Sequence, residues 1–267
     1  MRWGCGAIKI LIVNGGPHKG NTWLLTEEAK RFLTDIDGDI IFSEVHLSDI
    51  GLPFCTGCSS CFRRGHWTCP HSEKVQPVMD MIEDSDGVIF SVPCFQGHLP
   101  GILKNFTDHM AFMLHRPRYF TKKALVITTT GGVSARSTTK AMAAVLSGWG
   151  FNKCYQLPIM ALSWNDYRPS AKDLKRTHDI AGKFYADISS GKLHVPGAGV
   201  LIPFNLFQAM TAAETDYPTE DNSFWPKYAG MRYAPGIPLT PGKKLLGWLI
   251  YQAGRRLLKS TTVTYRK

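Results

Sequence analysis

The constraint that most narrows the fold is a recurring pair: a short, nearly continuous apolar run, then a polar turn and a helix-period segment. Residues 7–14 (AIKILIVN), 87–92 (GVIFSV) and 123–130 (KALVITTT) are β-branched and apolar on both alternating positions. A strand carries that pattern only when both of its faces are covered. Segments 39–47 and 153–160 read as two further strands, and 22–33, 73–83, 99–114, 137–149 and 171–189 read as helices between and after them. Strands alternating with helices imply a parallel sheet with helices on both faces. Right-handed crossovers close such a chain into a doubly wound α/β fold with a five-stranded parallel sheet.

This rhythm occupies residues 1–190, the expected core domain. From residue 191 proline and glycine recur and aromatics crowd between Phe204 and Tyr233. The expectation for 191–267 is a C-terminal extension wrapped on the core. At 267 residues with 44% hydrophobic content the chain has material for a packed interior. No stretch approaches the ~20 apolar residues that a spanning helix needs. The N-terminus runs into the first strand without an apolar leader region, so a cytoplasmic protein is expected.

The turn after the first strand is Gly15-Gly16-Pro17-His18-Lys19-Gly20-Asn21-Thr22. Its backbone N–H groups and the helix start behind it favour an anion. Gly15 and Gly20 have the spacing of a triphosphate-binding loop, but Asn21 stands where that loop needs lysine. The G-x-G-x-x-G spacing for a dinucleotide is absent too, which leaves a cradle for a single phosphate; an ordinary glycine-rich turn is the alternative. Ligands of open α/β sheets sit at the carboxyl ends of the strands. The next two such ends carry Pro93-Cys94-Phe95-Gln96-Gly97-His98 and Thr128-Thr129-Thr130-Gly131-Gly132. Together these loops offer a flat apolar ring contact, an amide, hydroxyls and free backbone.

On these three loops, with Leu99-Pro100-Gly101, Lys104 and Asp108, residues 7–190 resemble the NADPH-dependent FMN reductase group of the flavodoxin-like superfamily. The resemblance implies a flavodoxin-like fold and bound FMN. It nominates Gly16, His18, Asn21, Thr22, Pro93, Cys94, Phe95, Gln96, Gly97, Thr129, Gly131 and Gly132 as the cofactor-binding residues, and it nominates no general acid or base.

Four of the seven cysteines fall in Cys55-x2-Cys58-x2-Cys61-x7-Cys69-Pro70, inside the segment 52–70. Two-residue gaps let successive thiolates face one metal centre, and iron–sulfur clusters need several thiolates from one flexible segment. A zinc site with His66 or His71 as nitrogen ligand, and a metal-free loop, are the alternatives. The run resembles the cysteine motif of the iron–sulfur flavoprotein family, which implies a 4Fe–4S cluster on Cys55, Cys58, Cys61 and Cys69 beside FMN. Cys5, Cys94 and Cys154 stand alone, and a buried structural role is the expectation for Cys154.

The formal charge of +10 favours acidic or phosphorylated partners. Residues 241–267 contain no acid. At helical spacing Leu246, Leu249, Ile250, Ala253 and Leu257 form one face, with Lys244, Arg255 and Lys259 opposite. A helix docked by its leucine face, with its basic face solvated, is the expectation. An anionic-membrane contact and a dock for an acidic electron donor are the alternatives; nucleic acid is not expected. The reading is therefore an FMN and iron–sulfur oxidoreductase, oligomeric, served by a ferredoxin-like protein or NAD(P)H. A metal-free NAD(P)H-dependent FMN or quinone reductase, and a flavin-binding redox sensor or assembly factor, are the competing readings.

Overall fold

The structure is a computed structural model that describes residues 6–211 and 218–258. Cys5, and the tail residues Lys259, Arg266 and Lys267, lie outside the described residues.

Five parallel strands form the sheet: β1 (Lys9–Asn14), β2 (Ile41–His46), β3 (Gly87–Ser91), β4 (Lys123–Thr130) and β5 (Lys153–Met160), in the order β2-β1-β3-β4-β5. This is the flavodoxin-like doubly wound order, and its switch point lies between β1 and β3. β3 and β4 are buried at every position, as their unbroken apolar runs require. β2, at the sheet edge, has no fully buried residue.

The side-chain alternation of the central strands sorts two cores. Ile10, Ile12, Ile89, Leu125 and Ile127 face α1 (Asn21–Ile36), and α7 (Ala171–Ser189) packs on the same side. Leu11, Val13, Val88, Phe90 and Val126 face the other layer. That layer contains α3 (Ser72–Asp84), α4 (Gly101–His109) and α6 (Ala135–Gly148), while α2 (Ser60–Arg63) is a single turn in the cysteine segment. Ser170 and Asp173 close a reciprocal capping box, which starts α7 where the apolar period begins.

The segment expected as one helix over 99–114 is two. α4 tightens at Met110–Ala111, where Ala111 N–H bonds Asp108 O at 3.2 Å, and α5 (Phe112–His115) follows. The i→i−3 bond is the 3₁₀ step that commonly ends an α-helix.

Beyond α7, α8 (Ala198–Thr211), α9 (Glu220–Phe224) and α10 (Pro241–Leu258) complete the described chain. Phe204, Phe224, Trp225, Tyr228 and Tyr233 enclose an aromatic cluster that takes in Phe120 from the turn before β4. Phe120 is thus one point at which the C-terminal segment grips the core, with Arg116 and His115, which meet Asp221 of α9, as another. α10 meets α8 through Gly247 and Gly254: a Cβ at Gly254 would stand 2.9 Å from the Ala209 Cβ. Leu249 and Leu257, expected on the docked face, are 50% and 68% exposed. The expected face is therefore split: Leu246 and Ile250 are half-buried, Leu246 against the aromatic cluster, while close approach at Gly247 and Gly254 leaves Leu249, Ala253 and Leu257 exposed.

Candidate functional site

The site forms at the carboxyl end of the sheet, where four loops converge. In the first loop, Gly15 N–H donates to Ser91 O at 2.9 Å and Gly16 N–H to Asn14 Oδ1 at 3.1 Å. A Cβ at Gly15 would stand 2.8 Å from Leu103 Cδ2, and one at Gly16 would stand 3.1 Å from Pro93 Cγ. Only glycine lets this loop lie flat against α4 and the Pro93 turn. α1 then starts at Asn21 with no side-chain cap and no acidic residue in its first turn. Its first N–H groups are therefore turned to whatever anion sits above them. His18 is exposed beside this turn.

Thr22 is 3% exposed, and its hydroxyl pairs with the Thr129 hydroxyl at 2.5 Å across to β4. Ser91 Oγ and Thr128 Oγ, at the ends of β3 and β4, are buried with no hydrogen-bond partner. By the strand alternation Ser91 faces the α1 side with Ile89 and Thr128 faces the other layer with Val126, so these are two separate unmatched hydroxyls and not one pair. This donor-rich, uncapped cradle fits a flavin mononucleotide phosphate.

After β3, Phe95 and His98 close a two-residue hairpin with Gln96 at φ +48° and Gly97 at φ +75°. Positive φ at both central residues is a type I′ turn, strained at Gln96. The turn holds Phe95 out, 45% exposed. Cys94 N–H donates to Thr129 O at 2.9 Å, and the Thr138 hydroxyl donates to Cys94 Sγ at 3.1 Å. After β4, the Thr130 hydroxyl donates to Val133 O at 2.8 Å and shapes the Gly131–Gly132 turn.

A fourth loop, following β5, escaped the sequence reading. The Asn21 amide donates to Ser163 O at 3.1 Å and Trp164 O at 3.3 Å. Asn21 thus ties the first loop to the fourth, and the Trp164 ring, 93% exposed, stands near Gly131. The available signal was position: every ligand loop of such a sheet follows a strand, and this one carries an aromatic.

The cysteine segment lies on the α4 side. The Asn105 side chain organises its start: Oδ1 accepts from Cys55 N–H at 3.0 Å, and Nδ2 donates to Leu52 O and Pro53 O. Ser60 Oγ and Thr68 Oγ1, 2.9 Å apart, tie the Cys61 turn to the Cys69 turn. Cys55 and Cys58 are exposed, while Cys61 and Cys69 are half-buried. Burial and then the neighbouring Cys69 push the Cys61 thiol up to about 11; Arg116 opposes this, while Cys55 and Cys58 add to it. Cys61 is thus coupled to each of the other three cysteines, a donor set of the type an iron–sulfur cluster takes, although among the described residues the four sulfurs do not converge as the Cys69, His71 and His109 ligand atoms do.

Arg116, 1% exposed, donates to Cys61 O and Phe62 O and pairs with Asp221 of α9. Of the two histidines weighed as nitrogen ligands, His66 stacks on Phe112 at 4.9 Å between centroids. Burial, with Arg118 and Arg116 behind it, pushes its pKa down to about 4. His71 instead points at His109, with Nδ1 3.0 Å from Nε2, and their ligand atoms lie within 4.8 Å of the Cys69 sulfur. His109, 4% exposed, is held through Nδ1 by Asn105 O at 2.9 Å. It was not weighed as a ligand from sequence, though it follows Asn105 by one helical turn. Cys154, on β5, packs against the core on the α6 side with its thiol pushed up to about 11 by burial, as a structural cysteine should be.

Between the loops and the cysteine segment lies an apolar cavity of about 410 Å³, walled by Pro17, Ile50, Phe54, Phe95, Ile102 and Phe106. It has the size and lining of a planar-ligand pocket.

Sheet order, switch-point crevice and uncapped α1 define a flavodoxin-like α/β protein. The family profile for NADPH-dependent FMN reductase matches residues 8–163, more than half of the chain. The chain belongs to the NADPH-dependent FMN reductase family and is a flavin-dependent oxidoreductase. An iron–sulfur flavoprotein of Clostridioides difficile (strain 630) is 32% identical over 187 residues, 68% of this chain and 80% of that protein. An iron–sulfur flavoprotein of Archaeoglobus fulgidus is 28% identical over 145 residues, 54% of this chain and 64% of that one. Among solved structures, azoreductase AzrA superposes with a TM-score of 0.51 at 14% identity, over 66% of this chain and all of that one, a likeness of fold.

Proposed function

We propose that this flavoenzyme carries a 4Fe–4S cluster on Cys55, Cys58, Cys61 and Cys69 and moves electrons from a reduced donor through cluster and FMN to an acceptor. The observation that carries the reading is the coupling of Cys61 to three further thiols of one short segment, next to a cavity that Pro17 and Phe95 of the flavin loops also wall. The iron–sulfur flavoproteins among its relatives support it.

In this reading the α1 N-terminus, Gly16, His18, Asn21 and Thr22 hold the FMN phosphate. Pro93, Cys94, Phe95, Gln96, Gly97, Thr129, Gly131 and Gly132 flank the ring, with Phe95 shielding one side from water. FMN couples one-electron to two-electron chemistry, and the protein sets its position and potential. Arg116 keeps the Cys61 turn fixed through the Cys61 and Phe62 carbonyls and places a positive charge beside the thiolates. The donor is a ferredoxin-like protein or NAD(P)H, and the working form is a homo-oligomer.

The Cys69, His71 and His109 group favours a second reading, a flavin reductase holding a single zinc ion. The His109 Nδ1 contact to Asn105 O is an outer-shell bond of the kind that makes Nε2, which faces His71 Nδ1, the ligating nitrogen. The two readings separate in two variants purified without oxygen. In Cys58→Ser, iron and sulfide are lost and FMN is kept if the cluster is right, since Cys58 is exposed and off the sheet. In His109→Ala, stoichiometric zinc is lost if the second reading is right.

A further inference from the structure

α10 is attached by the side of the helix that carries the least side chain. A Cβ at Gly254 would stand 2.9 Å from the Ala209 Cβ, and one at Gly247 would stand 3.0 Å from the Arg232 Cβ and 3.1 Å from Asn205 Nδ2. The platform beneath is firm: Asn205 Nδ2 donates to Arg232 O at 3.0 Å, and the Arg232 guanidinium lies over the Tyr251 ring at 4.4 Å. Leu246 and Ile250 flank the glycines, half-buried.

At ~100° per residue, that choice turns Leu245, Leu249 and Ala253 to the opposite side, with Trp248 next to them. Leu245 is 57% exposed, Trp248 48% and Leu249 50%. Single exposed leucines are ordinary on a soluble protein, whereas a leucine–tryptophan strip along one helix is not. Cations frame the strip: Lys243 and Lys244 in the first turn, Arg255 and Arg256 in the last, and no acid between Pro241 and Leu258.

We infer that α10 is an interfacial helix that seats this protein on an anionic phospholipid bilayer, with Leu245, Trp248 and Leu249 entering the headgroup boundary and the flanking cations meeting lipid phosphates. A second copy of α10 would bring four like charges against four, in a chain already at +10. An acidic protein would match the cations but leave the strip without a partner; the anionic bilayer matches both. With four cations in 18 residues the helix lies along the surface, and among the described residues no helix is long and apolar enough to cross. The inference stands apart from the cluster assignment, because it rests on α10 and its packing on α8 and on no cysteine.

The test is co-sedimentation of the full-length, FMN-loaded chain with two kinds of vesicle. One is phosphatidylcholine alone, and the other is phosphatidylcholine with phosphatidylglycerol at about three to one. Binding to the anionic vesicles alone, lost as salt screens the charges, is the expected result. Lys244→Gln with Arg255→Gln should cut partitioning about 25-fold, near fivefold for each charge brought to an anionic surface. Leu245→Ser with Leu249→Ser should abolish it while FMN absorbance is unchanged, since both side chains face away from the packed glycines. Full-length protein left in the supernatant at low salt overturns the inference. So does vesicle binding that ignores the leucine pair, which marks a merely electrostatic patch. A dimer by light scattering that the leucine pair converts to monomer also overturns it, because a second copy then covers the strip.

Discussion

Asp221→Ala should be strongly destabilising, although it changes no apolar core residue. Asp221 sits on α9 and receives two donors: Arg116 Nη1, and His115 Nδ1 at 2.8 Å. The Arg116 side chain is 2% exposed and that of Asp221 10%, so the pair is closed to water on the arginine side. Removing the carboxylate strands a buried guanidinium, which costs about 3–5 kcal/mol when nothing replaces the partner. The lower end applies, because His115 is 22% exposed and lets some water reach the acid's side. We therefore expect a loss of about 3 kcal/mol in urea unfolding followed by far-UV circular dichroism. FMN must be held at fixed saturation, since a ligand of the native state adds its own stability. The double change Arg116→Met with Asp221→Leu removes both charges. Its cost reduces to the Cys61 and Phe62 carbonyls left without a donor, about 1–2 kcal/mol, so the double variant should be more stable than the single. A loss under about 1 kcal/mol for Asp221→Ala, or strict additivity in the cycle, would refute the buried-pair reasoning.

Three further outcomes follow from the same geometry. Asn21→Asp loses the amide's bonds to Ser163 O and Trp164 O and sets a carboxylate by the phosphate cradle; FMN should dissociate at least about tenfold more readily by fluorescence titration, and an unchanged affinity would remove Asn21 from the site. His66 stays neutral in the fold down to about pH 4 against an ordinary 6.5, so the unfolded chain binds the extra proton between those values. Stability from this residue is present above pH 6.5 and is lost as pH falls toward 4. The wild type should thus weaken faster than His66→Gln across that window, and parallel curves would contradict it. Gly254→Leu should cost about 1–3 kcal/mol by driving α10 off Ala209, whereas Ala253→Leu on the open side should be near neutral; equal effects in thermal melts would dispose of the glycine-packed interface.

The core was legible because its signals are local. An unbroken apolar run needs two covered faces, so β4 appears at the residues expected, and the apolar period behind the Ser170 cap does the same for α7. Loops placed after β1, β3 and β4 inherit the site from the sheet's topology alone. What was not legible is held by contacts between distant residues. Asn21 reaches across 142 positions to Ser163, and Arg116 reaches across 105 to Asp221. His109 carries no metal-ligand spacing relative to Cys69, and only the packing of α4 against the cysteine segment brings them together. The docked face of α10 was misjudged for a different reason. Periodicity finds the apolar stripe but does not reveal that the glycines beside it set the close approach, which keeps Leu246 and Ile250 on the packed side and leaves Leu249, Ala253 and Leu257 exposed.

The central claim is that four thiols and a mononucleotide cradle serve one redox centre in one chain. Its most direct test is the cofactor content of full-length protein purified without oxygen: flavin identified by mass, with iron, acid-labile sulfide and zinc counted against protein. The account predicts FMN with about four iron and four sulfide per chain, the content of one 4Fe–4S cluster. FAD in place of FMN, or FMN with one zinc and no labile sulfide, would contradict it.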